Sequence, residues 1–200
     1  MSASSLVLAS ASPRRRDLLR SVGIDFSVVP SCASETEVAG ETPQEHVIRL
    51  SLEKARAVAG DGNVRGRWFL GSDTIVLRDH TILGKPGSPK EAFAILQSLS
   101  GRAHEVISGY ALLDRQSRLE KSGTVTTVVH FKQLSEEEIH GYITTGESSD
   151  KAGAYAIQGI GAFMVKSIEG SYTNVVGLPL CEVVELLESF GAARLFSRMR

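Results

Sequence analysis

The sequence has little cysteine, almost no net charge and no long apolar run, and each shortage removes a class of protein. Its two cysteines, Cys32 and Cys181, lie far apart with no CxxC or Cys/His spacing. Neither a zinc site nor a disulfide framework is indicated, and reduced thiols are expected. A formal net charge of −1 leaves no broad basic face of the kind that neutralises many backbone phosphates, so no nucleic-acid partner is expected. The opening segment Met1-Ser2-Ala3-Ser4-Ser5-Leu6-Val7-Leu8 lacks a basic region, and its apolar run is too short for a signal peptide or a membrane span. No membrane partner is expected, and the default location is the cytoplasm. No repeat, low-complexity tract or linker is evident. Three catalytic signatures, GxxxxGK[ST], GxSxG and HExxH, are absent, and Gly159-Ile160-Gly161 lacks the third glycine and preceding strand of a dinucleotide fingerprint. The histidines are read as surface or structural residues.

What is present is an ordinary mixture. Two hundred residues, 42% hydrophobic and 22% charged, fit one domain, or one domain in two lobes, large enough to bury a substantial core. A short buried strand over residues 6–9 runs into a helix from Pro13 to about Val22, ended by Gly23. A second strand over 26–29 stops at Pro30. Thr42-Pro43-Gln44-Glu45 is a capping box opening a long helix to about Ala59. Residues 68–77 are apolar on both sides of a Gly71-Ser72-Asp73 interruption, and a hairpin turn over 78–81 returns through Ile82-Leu83-Gly84-Lys85-Pro86. Ser88-Pro89-Lys90-Glu91 is a second capping box, whose helix ends near Ser100-Gly101. Long β segments at 104–114 and 123–132 follow, then a helix capped by Ser135 that closes at Gly146. The stretch 150–162 is punctuated by glycine, 163–168 reads as a strand, 170–177 as a loop, and a last helix runs from Leu180 to about Phe190. Helices, hairpins and long strands in this order indicate a mixed sheet with helices on its faces rather than a regular Rossmann alternation.

The most informative local feature is Ala9-Ser10-Ala11-Ser12-Pro13-Arg14-Arg15-Arg16. Ser12 is a good N-cap and Pro13 suits the first helical position. The three residues that follow are arginines, although cations in a first turn oppose the helix dipole at a cost of roughly 0.3–1 kcal/mol each. An external anion reverses that sign, because free N–H groups, the Ser10 and Ser12 hydroxyls and forked guanidiniums all suit phosphate oxygens. A solvated basic turn is the competing reading.

Two further residues stand out by placement. Lys54 lies on or beside the inward stripe of its helix, four residues after Leu50 and four before Val58, which calls for snorkelling or an anionic partner. Asp73 interrupts an apolar strand, where an idle carboxylate is costly, so it should face a cleft with a cation nearby. Arg14, Arg15, Lys54 and Lys85 against Glu35 and Asp73 is the composition of a metal–triphosphate site, with cations on phosphate oxygens and carboxylates holding Mg²⁺ or Mn²⁺. Taken alone, Glu35 is equally a solvated loop carboxylate.

Together these residues carry a family resemblance. Ala9-Ser10-Ala11-Ser12-Pro13-Arg14-Arg15, Gly71-Ser72-Asp73-Thr74-Ile75-Val76, Gly84-Lys85-Pro86, Asp150-Lys151-Ala152-Gly153-Ala154-Tyr155 and Asn174-Val175-Val176-Gly177-Leu178-Pro179-Leu180 resemble, in order, the motifs of the Maf family of nucleoside triphosphate pyrophosphatases. The resemblance covers essentially all of residues 1–200. It implies an α/β fold like that of inosine triphosphate pyrophosphatase, with an elongated mixed sheet, flanking helices and two lobes around a cleft. It also implies metal-dependent cleavage between the α and β phosphates to a monophosphate and pyrophosphate, including house-cleaning of modified nucleotides, by a protein that is commonly a homodimer.

Carried over by position, Asp73 becomes the general base and, with Glu35, a ligand of Mg²⁺ or Mn²⁺. Ser10, Ser12, Arg14, Arg15, Lys54 and Lys85 become phosphate contacts. Ser34 departs from the pattern, standing where relatives often carry another acid. Arg14, Thr74 and Gln158 replace the Trp, Gln and Glu of the branch acting on 7-methylguanosine triphosphate. A neutral amide at Gln158 both donates to and accepts from a pyrimidine edge, so the resemblance is to the dTTP/UTP pyrophosphatase branch. The alternative function is a nucleotide-binding regulator of cell division and septum formation without significant turnover, since the family has also been associated with septum formation. An evident water-activating carboxylate favours the enzyme.

Overall fold

The computed structural model describes residues 5–36 and 38–196; the expectation placed on residues 1–4 falls outside the described residues. The fold is a mixed α/β arrangement. Strand β1 (Leu6–Leu8) pairs in parallel with β2 (Ser27–Val28) on one side and with β3 (Trp68–Arg78) on the other. Having neighbours on both sides, it is fully buried, as its unbroken apolar run requires. Strand β4 (Thr81–Leu83) folds back on β3, with Asp79 (φ 48°) and His80 (φ 65°) forming the two-residue turn. Both sit in the left-handed region, which matches the twist of a tight hairpin. With β5 (Ala103–Asp114), β6 (Glu120–Phe131) and β7 (Val165–Glu169), the sheet has seven strands in the order β2-β1-β3-β5-β6-β7, with β4 beside β3.

Six helices are described: α1 (Pro13–Ser21), α2 (Pro43–Gly60), α3 (Pro89–Leu99), α4 (Glu136–Thr144), α5 (Tyr172–Val176) and α6 (Leu180–Ser189). Among the described residues, none is long and apolar enough to cross a membrane.

The chain divides into two compact units, one of Met1–Asp73, Ser108–Val125 and Gly177–Arg200, the other of Thr74–Ile107 and Thr126–Val176. In the first unit, strand alternation splits the core in two. Leu6, Leu8, Leu70 and Leu112 pack with Leu19 of α1 and with Val183 and Leu187 of α6, while Val7, Phe69 and Leu113 pack with Ala55 and Val58 of α2. The second unit has one core, in which Leu96 and Leu99 of α3 and Ile139 and Tyr142 of α4 meet Val106, Val129, Phe131, Tyr155 and Met164.

Four local expectations change. Gly71-Ser72-Asp73 does not interrupt β3, because each residue is provided for: Ser72 Oγ donates to Gly109 O at 2.8 Å, Asp73 meets Lys54, and Gly71 lies under α2. At Ser88 the box stays open, since Ser88 Oγ accepts from Glu91 N but the Glu91 carboxylate accepts from Gly87 N instead. Residues 170–177 hold the short helix α5, anchored by Asn174, whose Nδ2 donates to Val106 O and Thr127 Oγ1. The strand expected from residue 163 begins at Val165, after a 3₁₀ turn over Gly159–Met164.

Candidate active site

The basic turn is built locally and then bent inward. Ser12 caps α1 by accepting from Arg15 N at 3.5 Å, and Ser10 Oγ accepts from Ser12 N at 3.2 Å. No acid occupies the first turn. The Arg15 guanidinium is not solvated: Nε donates to Gly177 O at 2.8 Å, and Nη1 donates to Ser72 O at 2.8 Å and Ser10 Oγ at 3.3 Å. One side chain therefore braces the helix start, β3 and the segment before α6. Burial pushes the Arg15 pKa down, Asp73 opposes that, Arg14 adds to it and Glu35 offsets it. The charge is thus buried among carbonyls at a helix N-terminus, where the helix dipole also favours anions.

Lys54 has the anionic partner its position called for, and a second one. Only 8% exposed, it donates from Nζ to Asp73 Oδ1 at 2.6 Å and to Glu35 Oε1 at 2.7 Å. The approach of α2 to the sheet makes this reach possible. A Cβ at Gly71 would stand 2.0 Å from Ser51 O, and one at Gly109 would stand 2.3 Å from Val47 O. Two glycines on neighbouring strands thus let helix backbone rest on sheet backbone, which brings Lys54 down onto Asp73.

Five of the expected residues, Ser10, Arg15, Glu35, Lys54 and Asp73, therefore stand in one continuous run of contacts through Ser72 and Asp73 of β3. Ser12 joins it through Ser10, and Arg14 is half-buried on the next position of α1. Thr74, Lys85 and Gln158 belong to the second unit. There Thr74 is half-buried on β3. Lys85 is exposed beside Gly84, whose carbonyl accepts from Gly153 N at 3.1 Å, and Gln158 is exposed at the head of the 3₁₀ turn.

The carboxylates of Glu35 and Asp73 converge on a single ammonium, that of Lys54. Among the described residues no group of three or more His, Cys, Asp or Glu is placed to hold a metal ion. Two carboxylates suit an ion that takes its remaining ligands from water and phosphate, as Mg²⁺ commonly does.

Sequence reasoning missed the acceptors of Arg15, namely Gly177 O and Ser72 O, because backbone carbonyls carry no sequence signal. It also missed Arg49, which faces Glu41, Glu53 and Thr36. The Arg49–Glu53 spacing on α2 was visible, but the bond to Thr36 crosses from helix to loop. Cys32 and Cys181 are exposed free thiols.

The model of the family described as Maf-like protein matches residues 5–190. A protein of Syntrophotalea carbinolica named dTTP/UTP pyrophosphatase is 66% identical over 197 residues, covering 98% of this chain and 90% of that one. One of the same name from Geobacter sp. strain M21 is 55% identical over 192 residues, covering 96% and 98%. Among solved structures, the Ham1 protein of Staphylococcus aureus aligns over 63% of this chain and 71% of its own, at 14% identity and a TM-score of 0.43, too slight a likeness to argue from.

Proposed function

The chain belongs to the Maf-like protein family, and from that premise we propose that it hydrolyses dTTP and UTP to the monophosphate and pyrophosphate. The observation that carries the chemistry is the Lys54 ammonium held between Asp73 and Glu35 beside an acid-free helix N-terminus. Water attacks the α-phosphorus, the bond to the bridging oxygen of the β-phosphate breaks, and pyrophosphate leaves with the electron pair. Asp73, fixed at Oδ1 by Lys54, takes the water's proton at Oδ2, a role worth about 10²–10⁴-fold in rate. Ser10 and Ser12, Arg14 and the N–H groups of the first turn hold phosphate oxygens, with Arg15 holding that turn in shape and adding its charge. Lys54 holds the base in place through its hydrogen bond to Oδ1. From the second unit, Lys85 is assigned to phosphate, and Thr74 and Gln158 to the base.

Glu35 and Asp73 would hold Mg²⁺ or Mn²⁺, which when bound supplies charge neutralisation at the phosphate oxygens. The same reading takes residues 1–200 as one domain in two lobes, acting in the cytoplasm as a homodimer without a nucleic-acid partner. The test is direct: purified protein with Mg²⁺ or Mn²⁺ is incubated with dTTP and UTP and the products are separated. Monophosphate and pyrophosphate are expected. Orthophosphate and a diphosphate would reject the bond assignment, nucleotide binding without turnover would favour a regulator, and full activity in excess chelator would reject the metal.

A further inference from the structure

The Glu35 carboxylate has a placement problem, and Arg49 solves it. Glu35 sits on an irregular segment, residues 29–42, in which no helix or strand forms among the described residues. Its side chain is 58% exposed, and its one hydrogen-bond and ion-pair partner among the described residues is Lys54 Nζ. A single exposed ion pair contributes little and does not fix a loop against its own entropy. The backbone next to it is held from α2. Arg49 Nη2 donates to Thr36 O at 3.0 Å, one residue beyond Glu35, and also to Glu41 Oε2 at 2.8 Å, while Nε donates to Glu41 Oε1. Nη1 faces both oxygens of Glu53 at 3.2 Å, which orients the guanidinium along the helix. One planar fork thus clamps the loop at Thr36 and again at Glu41, and a lysine has no geometry for this. The pairing is strong enough to hold the Glu41 carboxyl below its ordinary pKa, chiefly through the hydrogen bond from Arg49. Lys54 lies on the same helix, so α2 fixes both the tip of Glu35 and the chain that carries it.

We propose that Arg49 is a positioning residue, whose clamp on Thr36 and Glu41 places the Glu35 carboxylate beside Asp73 for a divalent cation. This rests on the reading of Glu35 as an ion-holding residue. Residues that orient a metal's ligands typically change affinity by about 10–100-fold when lost.

The experiment measures Mn²⁺ binding by electron paramagnetic resonance, in the presence of a dTTP analogue with a methylene group between the α and β phosphorus atoms, so that turnover is not involved. Arg49→Met and Arg49→Lys should each weaken Mn²⁺ about tenfold or more, with near-native melting curves. Glu41→Gln, which leaves Arg49 in place and loosens one arm of the fork, should weaken it by a smaller factor. Glu35→Gln should weaken it as well, and adding Arg49→Met to Glu35→Gln should do little more, because both act through one carboxylate. Wild-type affinity in folded Arg49→Met, in Arg49→Lys, or in Glu41→Gln should Arg49→Met not fold, overturns the clamp. So does a double variant in which the two losses multiply. A wild-type protein that binds no Mn²⁺ rejects instead the ion-holding role of Glu35, and the clamp's purpose with it.

Discussion

The first unit carries charges into its interior, where Arg15, Lys54 and Asp73 are each no more than 9% exposed, whereas the second buries His104 and Tyr155. In the first, the ions are joined to one another or to carbonyls within a single run of contacts. In the second, His104 Nε2 and Tyr155 Oη share a hydrogen bond at 2.8 Å, with Phe131 edge-on to both rings. Burial lowers the His104 pKa to about 4, with His130 adding a smaller push, and burial raises that of Tyr155. Both groups are neutral at pH 7. Keeping an ion from water is expensive unless something charged rewards it, while a neutral polar pair settles into a core once its bonds are made. On the proposed function, the difference separates a unit whose buried ions serve a charged substrate from one whose buried polar groups are structural.

The most severe challenge to that contrast is Asp73→Asn. If the buried carboxylate serves the reaction, turnover should fall about 10²–10⁴-fold while the melting curve stays near that of wild type, since the amide still accepts from Lys54. Near-native turnover in the folded variant would make Asp73 as structural as His104. Next in size, Lys54→Met strands Asp73 without its cation and should lower stability by about 3–5 kcal/mol in denaturant titrations. Added Mg²⁺ should restore part of this, because an ion bound by the folded state stabilises it by mass action. Insensitivity to Mg²⁺ would count against the carboxylates as an ion site.

The second unit makes a matching prediction in pH. Because the folded pKa of His104 lies below its ordinary value near 6.5, the unfolded chain binds more protons between those values. Stability therefore falls as pH drops from about 6.5 to about 4, and this contribution is flat above that window. The loss should be on the order of 3 kcal/mol, and His104→Gln, which keeps a partner for Tyr155 but cannot titrate, should flatten the profile without altering turnover at pH 7. A slope unchanged in His104→Gln would place the titration elsewhere. The smallest effect concerns Arg14, Thr74 and Gln158, drawn from both units. Their joint replacement by Trp, Gln and Glu should shift the kcat/KM ratio from dTTP toward 7-methylguanosine triphosphate by about tenfold or more. An unchanged ratio in a folded triple variant would remove these residues from base selection.

Much of this was legible along the chain. The caps at Ser12, Thr42 and Ser135 lie within three residues of the groups they satisfy, and β1 announced its burial by an unbroken apolar run. Lys54 and Asp73 were conspicuous because each contradicted its local pattern, and each contradiction was resolved by the other. The helix α5 was missed because it is a five-residue turn held by Asn174 contacts to β5 and β6, which no local spacing announces.

By itself, the sequence determined where the capped helices begin, that the first strand and one stripe of α2 are buried, and that a few cations and carboxylates had to find partners, because these follow from interactions within a turn, from apolar patterning or from the cost of burying charge. Only the tertiary structure decided which partners they found. Arg15 reaches carbonyls 57 and 162 residues away, and Arg49 reaches a loop carbonyl thirteen residues back. Lys54 meets Asp73 because Gly71 and Gly109 let α2 settle onto the sheet. Which carbonyls are open to a guanidinium, and how closely a helix can approach a strand, are properties of packed surfaces, fixed when the elements come together.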